Sequence, residues 1–306
     1  LTNGTWTASA ETLQMDGTAN LVGAGQTLKN LTINGSANTV TVATSDVTVS
    51  GTITIGGAAD SNDDTLSIAS GRTVTSDTAG TVTLVGSGTD SITGAGTLTV
   101  GNSNLATGGT VSSIVRFDST NGDLTMPNRT YGGAVEIYNN HAATARVITM
   151  AAGTHTLSGS LTVIANNGGN VTMAGATNNP TVNLTGDLAF TTHSTGTVTL
   201  TSGTGTWTAS GNVNFTNGTY TAASGNTLVM NGSGKTLTSA AQTLQNVTLS
   251  GTITLANATH TIAGNLDLTG STITAGSSTV TMTGTSNTIT GGSQTLNNLT
   301  IDPAST

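Results

Sequence analysis

Gln294 to Ile301 reads QTLNNLTI, and the same phrase recurs as QTLKNLTI from Gln26 to Ile33 and as QTLQNVTL from Gln242 to Leu249. Each copy follows shortly after a Met that closes a second shared stretch: Met15 before Gln26, Met230 before Gln242, and Met282 before Gln294. Those stretches are Leu1 to Met15 (LTNGTWTASAETLQM), Phe215 to Met230 (FTNGTYTAASGNTLVM) and Leu268 to Met282 (LTGSTITAGSSTVTM). Inside each stretch apolar residues alternate with Thr, Gln or Ser, the period of a strand with one buried face. The alternation continues outward through most of the chain, as in Thr97-Leu98-Thr99-Val100 and Thr252-Ile253-Thr254-Leu255. Gly, Asn, Ser and Asp interrupt it at short intervals, as turns require. A Gly-x-apolar-x-apolar opening starts at Gly51, Gly96, Gly159, Gly186, Gly211, Gly251 and Gly264. Intervals near multiples of about 13 residues suggest one strand plus one turn.

Strands this short cannot bury a face alone, so the repeats predict stacking in register. The expected fold is all-β: a rod-like parallel β-helix (β-solenoid) of about twelve coils of about 24 to 27 residues, with no α-helical domain. It runs as one continuous solenoid over residues 1–306, with a compositionally distinct segment at 112–146, either a wider coil or a protruding loop. An array of immunoglobulin-like sandwiches is the alternative, and the close spacing of the strands and the scarcity of Trp count against it.

Composition narrows the function classes. The 306 residues include 41 Gly, no Cys and only 7% charged residues, with 14 acids against 6 bases for a net charge of −8. No basic footprint for nucleic acid and no polybasic membrane patch is present. No apolar run reaches the length of a membrane-spanning helix. Without Cys there is no disulfide or thiolate chemistry. The chain opens at Leu1 without Met or a signal-like segment, which reads as a processed chain or a piece of a longer one.

The QTLxNLTI phrases, TxTM strands and Gly-x-Leu openings resemble large secreted β-strand-repeat surface proteins, the filamentous-haemagglutinin-like adhesins and related extracellular β-solenoids. The resemblance implies export to the cell surface and a structural role in a filament, sheath or adhesin stalk; it carries over no catalytic residue. The expected partner is self, either as a head-to-tail polymer or as neighbouring coils of a longer chain, with a cell-surface or glycan ligand as a further candidate. Neither end reads as a polar cap, so Leu1, Trp6, Leu299 and Ile301 are expected at end-to-end contacts. The alternatives are an ice-binding solenoid, suggested by frequent Thr-x-Thr triplets, and a polysaccharide-active β-helix, for which Asp63, Asp64 and nearby Arg72 are the only candidate machinery.

Three groups of side chains stand out. Asp60, Asn62 and Asp64 have the alternate-oxygen spacing that suits calcium, although Thr65 and Gly71 stand where the helix-flanked loop needs Gly and an acid; the bland reading is a solvated turn. Asp118, Asn121 and Asp123 are a looser set of the same kind. Within 112–146, Arg116, Phe117, Arg129, Tyr131 and Tyr138 combine Arg with aromatics, the material of an interface; Arg146, Pro127 and Glu136 belong to the same segment. His155 and His260 occupy equivalent places between two Thr, which points to repeated core positions. Asn30, Asn246 and Asn298 each break the alternation and are expected at bends, bonded to backbone. Asn-x-Ser/Thr sequons, among them Asn3, Asn30, Asn183 and Asn246, occur about as often as so much Ser and Thr produces by chance.

Overall fold

The computed structural model describes residues 10–57, 62–77, 80–85, 89–101, 104–192 and 195–303. The chain is an all-β parallel solenoid of about twelve coils, and no helix occurs among the described residues. Every described strand pairing is parallel, which removes the antiparallel sandwich alternative. Two compact units divide the chain, Leu1–Tyr138 and Asn139–Thr306. The division falls inside the distinctive segment at 112–146.

Each coil of the first unit contributes short strands to three sheets in turn. In one sheet Val40 faces Leu66, Leu66 faces Ile92, Ile92 faces Val111 and Val111 faces Tyr131. All five are fully buried. The intervening Thr39, Thr65 and Ser91 point the other way and stack on each other. The alternation in the sequence thus becomes a dry column on one side and a hydroxyl column on the other. Burying each such aliphatic side chain stabilises by about 1.5–3 kcal/mol, and it does so only because the coils on either side cover it.

The second unit repeats the plan. His155, Val182, Trp207, Leu228, Val247 and Leu266 form one inward column, each facing the next. The repeated phrases are successive rungs: Thr12–Met15 lies on Asn30–Ile33, Thr227–Met230 on Asn246–Leu249, and Thr279–Met282 on Asn298–Ile301. All three pairings share one register, Thr opposite Asn and Met opposite the final aliphatic residue.

Two expectations need correction. Coil length is not as uniform as the repeats suggest: the coil that carries Thr154 round to Thr181 is much longer than the one that carries Lys235 round to Ile253. Register fixes the strands, while the turns between them are free to shorten. Nor does each Gly opening mark a single strand and turn, because the described coils carry three strands each, except the last, where only Ile289–Thr290 lies between Thr279–Met282 and Asn298–Ile301. Thr39–Val42, Val47–Val49 and Ile53–Ile55 follow in quick succession. The shortest strands, such as Thr27–Leu28 and Val213–Asn214, contain too little alternation to be read from sequence. The Gly openings have a steric cause. Gly159, Gly186 and Gly211 stack so closely that a Cβ on Gly186 would lie 2.5 Å from the Gly159 carbonyl carbon.

Candidate functional site

Asp60 lies outside the described residues. Asn62 and Asp64 both turn to the preceding coil. The buried Asp64 carboxylate accepts N–H groups from Asn38 at 2.8 Å and Gly35 at 3.1 Å, while the Asn62 amide donates to the Gly35 carbonyl at 2.9 Å. The Asp64 N–H in turn donates to the Asp90 carboxylate at 3.0 Å. These acids therefore act as brackets between coils, satisfying backbone groups that the corner would otherwise leave unbonded. Neighbouring Asp63 accepts the Thr89 N–H at 2.8 Å. Arg72 approaches Asp46 at 3.9 Å in a largely exposed pair of little energetic weight. Among the described residues, no three His, Asp or Glu side chains converge as a metal set would. Asp118 accepts from the Thr120 N–H at 3.0 Å, and Asn121 reaches Asp77 at 3.4 Å.

The five residues expected to form an interface separate into core and surface. Phe117 and Tyr131 are fully buried, edge to face with ring centres 6.2 Å apart. They therefore fill the coil and offer no contact surface. Arg129 is also buried, and its guanidinium donates to the carbonyls of Ala106, Gly108 and Gly109 in the coil before it. Burial lowers its pKa, with the Tyr131 hydroxyl acting in the opposite direction. Only Arg116 and Tyr138 reach the surface. Arg116 bonds Glu136 at 2.7 Å and lies 4.6 Å over the Tyr138 ring. Composition alone could not make this division, because a wide coil needs bulky filling and a surface contact uses the same residue types.

Polar-tipped aromatics follow a rule that the sequence did not reveal. Four of them sit inward and return a polar atom to a nearby backbone carbonyl: Tyr131 to Pro127 at 2.8 Å, His155 to Ala151 at 2.9 Å, Trp207 to Ser202 at 3.2 Å and His260 to Ala256 at 3.0 Å. His260 thereby keeps its proton on Nε2, and its Nδ1 accepts from the Ser239 hydroxyl at 2.9 Å. Burial lowers its pKa, and the bond to Ala256 opposes that shift. Tyr220 stacks on Phe215 at 4.5 Å, and burial pushes its hydroxyl up to about 12.

Among the described residues, asparagines and aspartates carry much of the side-chain bonding between coils. Asp187 accepts the Asn212 N–H at 2.7 Å, and Asn212 accepts the Thr236 N–H at 2.9 Å. These residues line a shallow groove of about 390 Å³ whose single carboxylate, Asp187, is already engaged in the ladder. Asn30 and Asn246 behave as the alternation break suggests, accepting N–H groups from Thr52 at 3.0 Å and Asn265 at 2.9 Å in the next coil. Outward Thr columns are interrupted: Thr274, Thr254 and Thr236 face one another in series, whereas Asn214 faces Ala189 earlier in the same sheet.

Leu1 and Trp6 lie outside the described residues. Leu299 and Ile301 sit on Asn298–Ile301, which pairs with Thr279–Met282 on one side and forms the edge of its sheet. They are 48% and 62% exposed, and Ile289 at the end of its own column is 40% exposed. These are the only large apolar side chains so exposed among the described residues. The edge also carries Asn298, the third of the recurrent asparagines, and among the described residues no N–H reaches its side chain.

Fold and corner ladders together place the chain in a class, the parallel β-helix repeat proteins. Comparison with known proteins adds no family: no protein-family model, curated protein or solved structure matches it.

Proposed function

We propose that the chain is a non-catalytic structural element of the cell exterior, a subunit or segment of a surface filament, sheath or adhesin stalk, that joins further coils through its exposed sheet edge. The observation that carries this reading is the strand Asn298–Ile301, which holds two aliphatic side chains about half or more exposed in positions that the two strands beneath it, Thr259–Ile262 and Thr279–Met282, bury. An open parallel edge with an uncovered apolar face is a template for another strand. The sparse charge on the outward Thr faces suits a scaffold, and Asp63 and Asp64 are engaged in holding coils together. Negative-stain electron microscopy and sedimentation at rising concentration test the reading, with and without EDTA. End-to-end rods that lengthen with concentration are expected. Particles that stay single at every concentration overturn the self-joining reading, and dissolution by EDTA would bring in a metal ion that includes Asp60.

A further inference from the structure

Of the six Lys and Arg residues in the chain, Arg129 is the one that is buried, at 7% exposure. Two neighbouring corners of the first unit make its place. Gly109 takes a φ of 61°, in the region that favours glycine, and its corner sets the carbonyls of Ala106, Gly108 and Gly109 around one guanidinium. Nη1 donates to Ala106, Nη2 to Gly108 at 3.2 Å and Gly109 at 3.1 Å, and Nε to the Thr130 carbonyl at 3.5 Å. A guanidinium carries five N–H donors, so one on Nη1 is left over. All of these acceptors are neutral. No carboxylate stands within ion-pair distance of Arg129 among the described residues, whereas the more exposed Arg116 has Glu136 at 2.7 Å. Burial depresses the Arg129 pKa, and what opposes that shift is the Tyr131 hydroxyl, not an acid. A buried cation without an anion is costly, and an anion that reaches it offsets that cost.

Arg129 also lines a surface groove of about 300 Å³, with Thr107, Thr110, Asn128 and Thr130 around it. Those four are exposed, and none of their side chains has a hydrogen-bond partner among the described residues. Asn128 is thus unlike Asn30, Asn212 and Asn246, whose side chains accept an N–H from the next coil. Among the described residues, no acid lines the groove. We propose that this groove binds a small hydroxylated carboxylate, whose carboxylate meets Arg129 and whose hydroxyls meet Thr107, Thr110, Asn128 and Thr130. The site stands apart from the open edge and adds a ligand to the structural role. A bare anion leaves the four neutral groups unused, and a neutral sugar leaves the charge unanswered. The volume admits one sugar-sized unit. A free hydroxy acid and the terminal uronic acid of a glycan present this same chemistry. With one spare N–H and a chain net charge of −8, a dissociation constant on the order of 1 mM is expected, weakening as salt rises.

The full-length chain is titrated at constant ionic strength with gluconate, methyl glucuronide and methyl glucoside, and binding is followed by ligand-observed NMR. Saturable binding of at least one acid is expected, with the uncharged glucoside at least about tenfold weaker. The tighter acid identifies the source: gluconate a free hydroxy acid, the glucuronide a glycan end. Asn128→Asp, almost isosteric, sets a carboxylate in the groove beside Arg129. It is expected to weaken acid binding at least about tenfold while raising the melting temperature. Thr110→Val is expected to weaken it about threefold. Both variants change exposed side chains and leave the core alone. Arg129→Gln is expected to abolish acid binding, with its fold checked by circular dichroism because three carbonyls lose their donor. No saturable binding of either acid, equal binding of acid and glucoside, competition by sulfate as strong as by gluconate, or unchanged affinity in Asn128→Asp overturns the site. Sedimentation of the same samples reads rod formation separately, so the structural role stands or falls on its own.

Discussion

Asn246–Leu249 and Asn298–Ile301 read NVTL and NLTI, follow almost the same preceding phrase, and lie on TxxM strands in the same register. Their surroundings differ completely. Val247 and Leu249 are 1% exposed, whereas Leu299 and Ile301 are 48% and 62% exposed. Asn246 accepts the Asn265 N–H, and Asn298 has no counterpart among the described residues. The four residues themselves carry no information that separates the two cases. In a solenoid, a strand gains most of its stability from the coil stacked on it, so near-identical sequence is core in one place and exposed edge in another.

The sharpest break of that comparison is a charge in matched positions. Leu31→Asp places a carboxylate in a fully buried column and is expected to cost about 4 kcal/mol or more in urea denaturation. Leu299→Asp, at the open edge, is expected to change monomer stability by less than about 1 kcal/mol. Equal losses at the two sites would mean that a further coil already covers the edge. A smaller contrast is expected for the asparagines. Asn246→Ala leaves the Asn265 N–H unbonded and is expected to cost about 1–2 kcal/mol, against less than about 0.5 kcal/mol for Asn298→Ala.

The smallest effect is a pH dependence two rungs inside the edge. His260 stands on Thr259–Ile262, which pairs with Thr279–Met282, the strand beneath the edge. Burial depresses its pKa in the folded chain below the unfolded value of about 6.5. Its contribution is therefore complete above that pH. As pH falls below about 6.5 the unfolded chain takes up a proton that the folded chain refuses, so stability declines until the folded pKa is reached. The slope is at most about 1.4 kcal/mol per pH unit. Chemical denaturation from pH 7.5 to 4.5 should show a shallower decline in His260→Gln than in the parent chain.

Much of the fold was legible because period-two alternation states directly which residues face inward. Leu98, Val100, Ile253 and Leu255 could be assigned to a core before their neighbours were known, and His155 and His260 could be recognised as repeated inner positions. Asn30 and Asn246 were recognisable as bends because they interrupt that period. The segment 112–146 was legible only as an anomaly. Phe117, Tyr131 and Arg129 were read as contact material and instead fill and cap a coil. Asn62 and Asp64 looked like oxygen ligands, but their partners, Gly35 and Asn38, lie a full coil earlier in the chain. No local spacing could announce those bonds.

Side-chain alternation and turn chemistry are local properties, and they were enough to establish an all-β chain of short strands, each dry on one face, built from stacked copies of one unit. The number of strands per coil, the coil lengths, the pairing of acids with backbone groups, and which of three near-identical phrases is left uncovered emerged only from the folded chain. Each of these depends on what lies one coil away, a neighbour about 4.8 Å off in space but a whole circuit of the chain distant in sequence.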